Sequence, residues 1–401
     1  MAGNIVKIKE GYYRLRYRDS STYVKAKSDR EAEKLMAKFI TEVDSGDFTQ
    51  PSKVTFKQFA EKWLSDYAEV ELAKKTVYRY KELLEGRIYP AFGDKKLDRI
   101  KPLDLVKFYN SLRGKNKYIS IAKDGTREEK EAGPLSEQTI KHYHRLLHAI
   151  FEKAIMWDVL KGTNPVKRVD APKAEKKKAA CYDEGHVQAL LEALGKTDAE
   201  ELKYKVATMI ALTTGARLGE IMGLEWQDID FENKAIEIRQ SSQYLPREGT
   251  FTKSPKNETS KRRISVNKTL LSLLEEYQKS QRSKGFLCQD NNRLFLTWDG
   301  KPMHPQTLTH WFPKFLKRNN LPHLNFHGLR HTSATFLISR GMDVETVAGR
   351  LGHSTSATTQ NVYSHFLKSK DRQAADLMES SFSKKAQKKK SKKKSVQNLS
   401  K

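Results

Sequence analysis

His327-Gly328-Leu329-Arg330-His331-Thr332 opens a segment in which Ala334, Phe336, Leu337 and Ile338 continue an apolar helical pattern until Gly341 ends it. Residues three apart share a helix face, so this start of a helix lets His327 and Arg330 address one anion together. A zinc reading competes, because His327 and His331 are four apart. Zinc proteases with that spacing carry an acid directly after the first histidine, and Gly328 stands there instead, which leaves His331 a structural role.

Outward from this segment, three others complete a phosphoryl-transfer set. Thr214-Gly215-Ala216-Arg217-Leu218-Gly219-Glu220-Ile221 reads as a glycine turn into a new helix whose buried side is Leu218, Ile221 and Met222. Glu220, three residues on, is placed either to orient Arg217 or to form an ordinary helical ion pair. Leu351-Gly352-His353 follows, and ten residues beyond His353 stands Tyr363, which lies 33 residues after Arg330. Attack on phosphorus builds negative charge on the phosphate oxygens, and an arginine fork donates two parallel bonds to them while staying charged at every relevant pH. Two arginines can therefore replace two cations, and no Asp-x-Asp or Glu-rich constellation suited to a metal pair accompanies them. No metal and no cofactor is expected. A phenol as nucleophile must lose a proton from a group of ordinary pKa about 10, which neighbouring arginines and a histidine acceptor ease.

The 401 residues exceed what one core usually holds, so two or three domains are expected. Lysine and arginine total 75 against 49 acids, for a net charge of +26. Residues 383–401 hold nine of the lysines, yet without them the chain still carries +17, so the excess is distributed and favours a polyanion partner. Two cysteines, Cys181 and Cys288, indicate neither a disulfide framework nor a cysteine-rich zinc site. No apolar run approaches the roughly 20 residues of a membrane span, and Met1–Gly11 has no signal-like core, so no membrane partner is expected and a cytoplasmic location fits.

Tyr13, Leu15 and Tyr17 alternate with Arg14, Arg16 and Arg18, a period-two strand with a partner near Tyr23 and Val24. Ser28 and Glu31 then form a capping-box pattern ahead of a helix through Val43. A polar linker, 46–53, precedes helical segments from Phe56 to about residue 160. Their clearest stripe is Ile140, Tyr143, Leu147, Ile150, Phe151, Ala154 and Ile155 behind Ser136, with Lys141, His142, Arg145 and Lys153 on the remaining face. Gly114–Gly133 is charged and poor in apolar residues, and reads as a flexible surface insertion. A second linker, Pro172 to Lys178, carries Lys176, Lys177 and Lys178. Strands near 235–240 and 262–266 should pair within an otherwise helical last module, and the lysine-rich end should lack structure of its own. The fold class is thus mainly α with small β-sheets (α+β), in several domains: 1–48, 54–168, a basic linker 169–180, 181–382 and a tail 383–401.

The four ordered motifs, Arg217 in its glycine-flanked turn, His327 with Arg330, Gly352-His353 and Tyr363, resemble the tyrosine recombinases, the phage and conjugative-transposon integrases. The resemblance is firm over about 175–382 and rests on arrangement over 1–165. It implies a site-specific DNA recombinase in which Tyr363 forms a 3′-phosphotyrosine, with Arg217, His327, Arg330 and His353 around the phosphate and Glu220 in support. The leaving hydroxyl is protonated in this family by a lysine on a hairpin. The stretch Lys253 to Ile264 resembles it, with Lys256 the best fit and Lys253 and Lys261 open alternatives. The resemblance further implies an arm-site DNA-binding domain at 1–48, using Arg14, Arg16 and Arg18, then a core-binding domain at 54–168 using Lys141 and Arg145. Four protomers would act on two duplexes, with accessory bending or excision proteins as possible partners, in the nucleoid of a bacterial cytoplasm. Gly328 departs from the family pattern, which frequently has an acid there. Two rivals stand beside this reading: a type IB topoisomerase, and an architectural DNA-binding protein with a degenerate site.

Overall fold

The computed structural model describes residues 3–45, 54–121, 125–175, 180–246, 248–253, 261–286, 288–289, 292–353 and 378–379. The chain divides into two compact units, Met1–Lys176 and Lys177–Lys401.

The first unit begins with an antiparallel sheet of β1 (Asn4–Lys9), β2 (Tyr12–Tyr17) and β3 (Ser20–Lys25), with β2 central, followed by α1 (Asp29–Asp44). Tyr13, Leu15 and Tyr17 face inward onto Ala32, Met36 and Phe39, as the alternation predicts. The sheet has one strand more than expected, because Ile5 is the only β1 side chain that turns partly inward and the strand carries little apolar signal. Arg18 does not continue the arginine row. It sits in the two-residue turn between β2 and β3 with φ +48 and pairs with Asp44 at 3.0 Å, while Arg14 and Arg16 lie on the outer sheet face. Ser28 caps α1 by accepting from Glu31 N at 3.3 Å, whereas the Glu31 carboxylate accepts from Lys27 N at 2.7 Å rather than from Ser28.

A helical module follows. α2 (Phe56–Trp63) runs through a π-turn, Leu64–Ala68, into α3 (Glu69–Glu71); α4 (Lys74–Leu83) runs through another, Leu84–Ile88, into α5 (Tyr89–Phe92). α6 (Pro102–Arg113) leads to the insertion, then α7 (Glu137–Met156), whose buried stripe from Ile140 to Ala154 packs on Phe56, Phe59 and Trp63 in one aromatic-rich core. The 114–133 segment is not a flexible insertion: it holds an antiparallel hairpin, β4 (Asn116–Ile121) with β5 (Arg127–Ala132). Its charges pair across the ladder, with Lys117 2.7 Å from Glu129. Arg87 anchors the hairpin, its Nε donating to Asn116 Oδ1 at 2.9 Å while its guanidinium lies over the Tyr118 ring. Apolar content alone misses such a hairpin.

The second unit is built on α8 (Glu184–Gly195) and α9 (Leu202–Thr214), with α9 central. Leu202, Val206, Ala207, Ile210, Ala211 and Thr214 are buried around its circumference, and the Thr208 and Thr214 hydroxyls donate to the carbonyls one turn back. The chain then turns through Gly215 into α10 (Leu218–Ile221), crosses β6 (Ile229–Asp230) and β7 (Ala235–Ile238), forms a hairpin of β8 (Ser241–Leu245) and β9 (Gly249–Lys253), and returns as β10 (Arg262–Ser265). β10 pairs with β7, Arg262 opposite Ile238, as the sequence predicts; the polar stretch between them contains the unexpected β8–β9 hairpin. α11 (Lys268–Ser283), α12 (Gln306–Arg318), α13 (Gly328–Ser339) and α14 (Val344–Leu351) complete the unit, with α11 and α13 packed on α9. The expected linker at 46–53, Lys176 to Lys178 and the tail 383–401 lie outside the described residues. Among the described residues no helix is long and apolar enough to cross a membrane.

Candidate active site

Two left-handed glycines shape the site. Gly215, φ +65, ends α9, and Gly352, φ +70, ends α14, each in a conformation that a side chain would strain. The Gly215 carbonyl accepts a 2.7 Å bond from Arg330 Nη1, and the Gly352 carbonyl accepts a 2.9 Å bond from Arg217 Nη2. The two arginines are thus cross-anchored by the helix ends that the glycines create, and motifs more than 100 residues apart meet. Arg330 is buried at 3% exposure, while the Arg217 side chain, 41% exposed, faces solvent.

Glu220 is the carboxylate of this cluster. One of its oxygens accepts from Arg217 Nη1 at 2.8 Å, and the other accepts from Arg217 N at 2.9 Å and from Arg262 Nη2 at 2.7 Å. Burial pushes its acid form up, but Arg262 and Arg217 outweigh that and hold it ionised below the ordinary range. Arg262 also donates to the Arg350 carbonyl at 2.9 Å, and Arg350 donates to the carbonyls of Thr213 and Ser265, both at 3.0 Å.

No motif of the sequence marks Arg262 or Arg350 as a site residue. Strand alternation carries the signal for the first: Ile264 is buried on β10, and two residues back the same face carries Arg262.

Three histidines close the group. His327 is the residue before α13, and its ring meets the His331 ring edge-on, centroids 4.9 Å apart. Burial and then the positive charge of Arg330 and Arg217 lower the His327 pKa. Burial with Arg330 and Arg217 takes His353 to about 4, and burial with His327 and Arg330 takes His331 to about 4. All three are neutral at pH 7, able to accept a proton and poised to become more basic when an anion arrives beside the arginines.

Gly328 has a packing reason. A side chain there would collide with Leu324, its Cβ 2.6 Å from Leu324 Cγ and 3.1 Å from the Ala180 carbonyl, so an acid does not fit this arrangement.

Arg217, Glu220, His327, Arg330 and His353 therefore converge, while Tyr363 and Lys256 lie outside the described residues. Lys253 ends β9 and Lys261 immediately precedes β10. Of the DNA-binding expectations, Arg145 is exposed and Lys141 half-buried on α7. Among the described residues no group of three or more His, Cys, Asp or Glu side chains could hold a metal.

Residues 182–370 match the model of the phage integrase family, and residues 55–113 match the phage integrase N-terminal SAM-like domain. The chain belongs to the tyrosine recombinase family. The first match spans every motif of the site, Tyr363 included. This recombinase is 25% identical over 379 residues to a XerC-like tyrosine recombinase of Caldanaerobacter subterraneus, covering 89% of this chain and 90% of the relative. It is 27% identical over 248 residues to the ICEBs1 integrase of Bacillus subtilis, covering 61% and 66%. Its fold is that of the Tn1549 transposon integrase solved with a circular intermediate DNA, at TM-score 0.63 and 23% identity over 78% of this chain and 95% of that one. The lambda integrase tetramer bound to a Holliday junction matches at TM-score 0.52 and 17% identity over 89% and 97%.

Proposed function

We propose that this recombinase is the integrase of a phage or conjugative element, and that Tyr363 is its nucleophile. The observation that carries the reading is the convergence of Arg217 and Arg330, cross-anchored through Gly352 and Gly215, with neutral His327 and His353 beside them on a chain of net charge +26.

The phenolic oxygen of Tyr363 bonds to phosphorus as the bond to the 5′ oxygen breaks, leaving a 3′-phosphotyrosine and a free 5′ hydroxyl. Arg217 and Arg330 take the nonbridging oxygens, which bear the growing charge. His353 donates a bond to one of them, and His327 moves the phenolic proton. Lys256, with Lys253 and Lys261 as alternatives, protonates the departing 5′ oxygen. One phosphodiester is exchanged for another, so the step itself consumes no ATP.

Double-stranded DNA is the substrate. The basic face of α7 and the lysines at 176–178 meet the core site, and the outer face of the β1–β3 sheet, with Arg14 and Arg16, meets an arm site. Reciprocal strand exchange takes four protomers on two duplexes. The lambda integrase assembly supports that number, and the apolar residues after Tyr363 offer a segment for docking on a neighbour, of which Met378 is described and exposed. Bending or excision proteins join on arm-site DNA.

A nicked suicide substrate carrying the element's end tests the assignment. The trapped peptide should contain Tyr363, and Tyr363→Phe should bind the same DNA without covalent attachment. Covalent capture by Tyr363→Phe would assign the nucleophile elsewhere.

A further inference from the structure

Lys253 is the last residue of β9, and the stretch that follows contains Lys256 and ends at Lys261. What sets the place where the chain leaves the hairpin is a brace at the base of β8 and β9. α10 lies against β8 backbone to backbone. A Cβ on Gly219 would stand 3.0 Å from the Ser242 carbonyl, and one on Gly223 3.0 Å from the Gln240 carbonyl and 3.1 Å from Ser242 N. Gly219 within α10 and Gly223 just beyond it thus let the segment that carries Arg217 and Glu220 touch the strand that pairs with β9. In that ladder Ser241 faces Lys253 and Ser242 faces Thr252.

Arg293 locks this arrangement from the side. One of its terminal nitrogens donates to the Gly223 carbonyl, the other to the Thr252 hydroxyl on β9, and its charge pairs with Glu225 at 3.6 Å. Its backbone is itself held, since the segments around Glu225 and Arg293 form a bridge in which Trp226 N donates to the Asn292 carbonyl at 3.1 Å and Leu294 N to the Leu224 carbonyl at 3.0 Å. Glu225 is shared with Arg239, which also holds Asp228. The side chain is 12% exposed, so burial is costly unless each donor has a use. A guanidinium can reach a carbonyl, a hydroxyl and a carboxylate at once; an ammonium cannot hold that fork.

We propose that Arg293 is a positioning residue for the leaving-group lysine: by tying Thr252 to Gly223 it fixes the end of β9 to the body that carries Arg217. This rests on the reading above that a lysine between 253 and 261 is the general acid. The other end of the stretch is tied to the same body through Arg262, which bonds Glu220 and the Arg350 carbonyl.

Chemical substitution in the substrate separates positioning of the acid from general damage. Where sulfur replaces the bridging 5′ oxygen, the leaving thiolate needs no proton, because a thiol ionises about seven pH units more readily than an alcohol. Arg293→Lys keeps the charge beside Glu225 and loses the fork. It should slow single-turnover cleavage of the ordinary substrate about 10- to 100-fold, part of what a general acid contributes. It should cleave the sulfur-bridged substrate within about 3-fold of wild type, with unchanged DNA affinity. Thr252→Val removes one acceptor without touching Glu225 and should show the same selective loss at about 3- to 10-fold; it answers the question alone if Arg293→Lys does not fold.

Lys253→Ala, Lys256→Ala and Lys261→Ala run alongside. If none of the three is rescued by sulfur, the lysine reading falls and the positioning role with it. If one is rescued but Arg293→Lys and Thr252→Val slow both substrates equally, or neither, the lysine reading stands and Arg293 has no positioning role.

Discussion

Gly215→Ala is the substitution in which backbone strain, packing and chemistry can be separated. At φ +65 a residue with a Cβ pays about 1 to 2 kcal/mol for the left-handed conformation. The added Cβ would also run into Leu351 Cδ2, and Leu351 is fully buried, so making room means overpacking at about 1 to 3 kcal/mol. The expected loss is their combination, about 2 to 5 kcal/mol. Gly341→Ala is the internal comparison: its φ is +94, but nothing stands within 4 Å of an added Cβ, so it should show the strain alone. Urea unfolding followed by tryptophan emission reads the difference through Trp226, which is buried in the core of the second unit. The two variants should also differ in cleavage. The Gly215 carbonyl holds Arg330 at 2.7 Å, so its displacement moves the donor proposed for the phosphate, whereas Gly341 has no such bond among those described. Removing one preorganised donor costs about 10²- to 10³-fold, and displacing it should cost about 10-fold or more in the folded fraction. If Gly215→Ala matches Gly341→Ala in both stability and cleavage, the glycine does not organise the arginine and the reasoning fails.

Acid should weaken the second unit in a defined window. His331 and His353 sit at about 4 in the fold against 6.5 for an ordinary histidine, so the unfolded chain binds more protons between those values. Their stabilisation is complete above about pH 6.5 and is lost as pH falls toward 4, roughly 2 kcal/mol for the pair at pH 5 after discounting for solvent screening, and His331→Asn with His353→Gln should flatten the profile; an unchanged slope would contradict the neutral-histidine assignment. Arg217→Ala leaves Glu220 paired with Arg262, so melting temperature and DNA footprint should change little while cleavage falls about 10²-fold or more; loss of folding would make that arginine structural. If the arginines do the work of cations, as proposed, cleavage should survive a chelator, and inhibition by it would revive metal catalysis.

The elements most legible in the sequence were those whose side chains report their own surroundings. The α7 stripe and the inward row of Tyr13, Leu15 and Tyr17 need only periodicity, and Gly215 announces the turn into α10. The β4–β5 hairpin and β8–β9 were missed because they are held by pairing between strands, by Lys117 with Glu129 and by Arg293 with Thr252, which no local window contains. Within the site, His327 with Arg330 and Arg217 with Glu220 were visible as short-range spacings. The contribution of Arg262 and Arg350 was not, since each acts on carbonyls 85 or more residues away. Arg18 shows the converse failure: alternation extended one residue past the strand, where the chain had already turned.

The way the arginines are held bears on the proposal that they attract a phosphate without a metal. Arg330 is anchored on the Gly215 carbonyl, Arg350 on those of Thr213 and Ser265, and Arg262 partly on that of Arg350, while Glu220 is the carboxylate shared by Arg217 and Arg262. A carbonyl orients a guanidinium without cancelling its charge, whereas a carboxylate partner for each would leave the cluster near neutral. Cations gathered in a partly buried place repel one another: burial first, and then the charge of Arg262 on Arg350 and of Arg330 and Arg217 on His327 and His353, lowers the pKa values of all three. The arrangement is therefore electrostatically strained in the direction that the phosphodiester of the proposed reaction would relieve. Its charge deepens as the fifth phosphorus bond forms, so the relief is larger in the transition state than in the ground state, which is the condition for the arginines to accelerate the reaction rather than only to bind DNA.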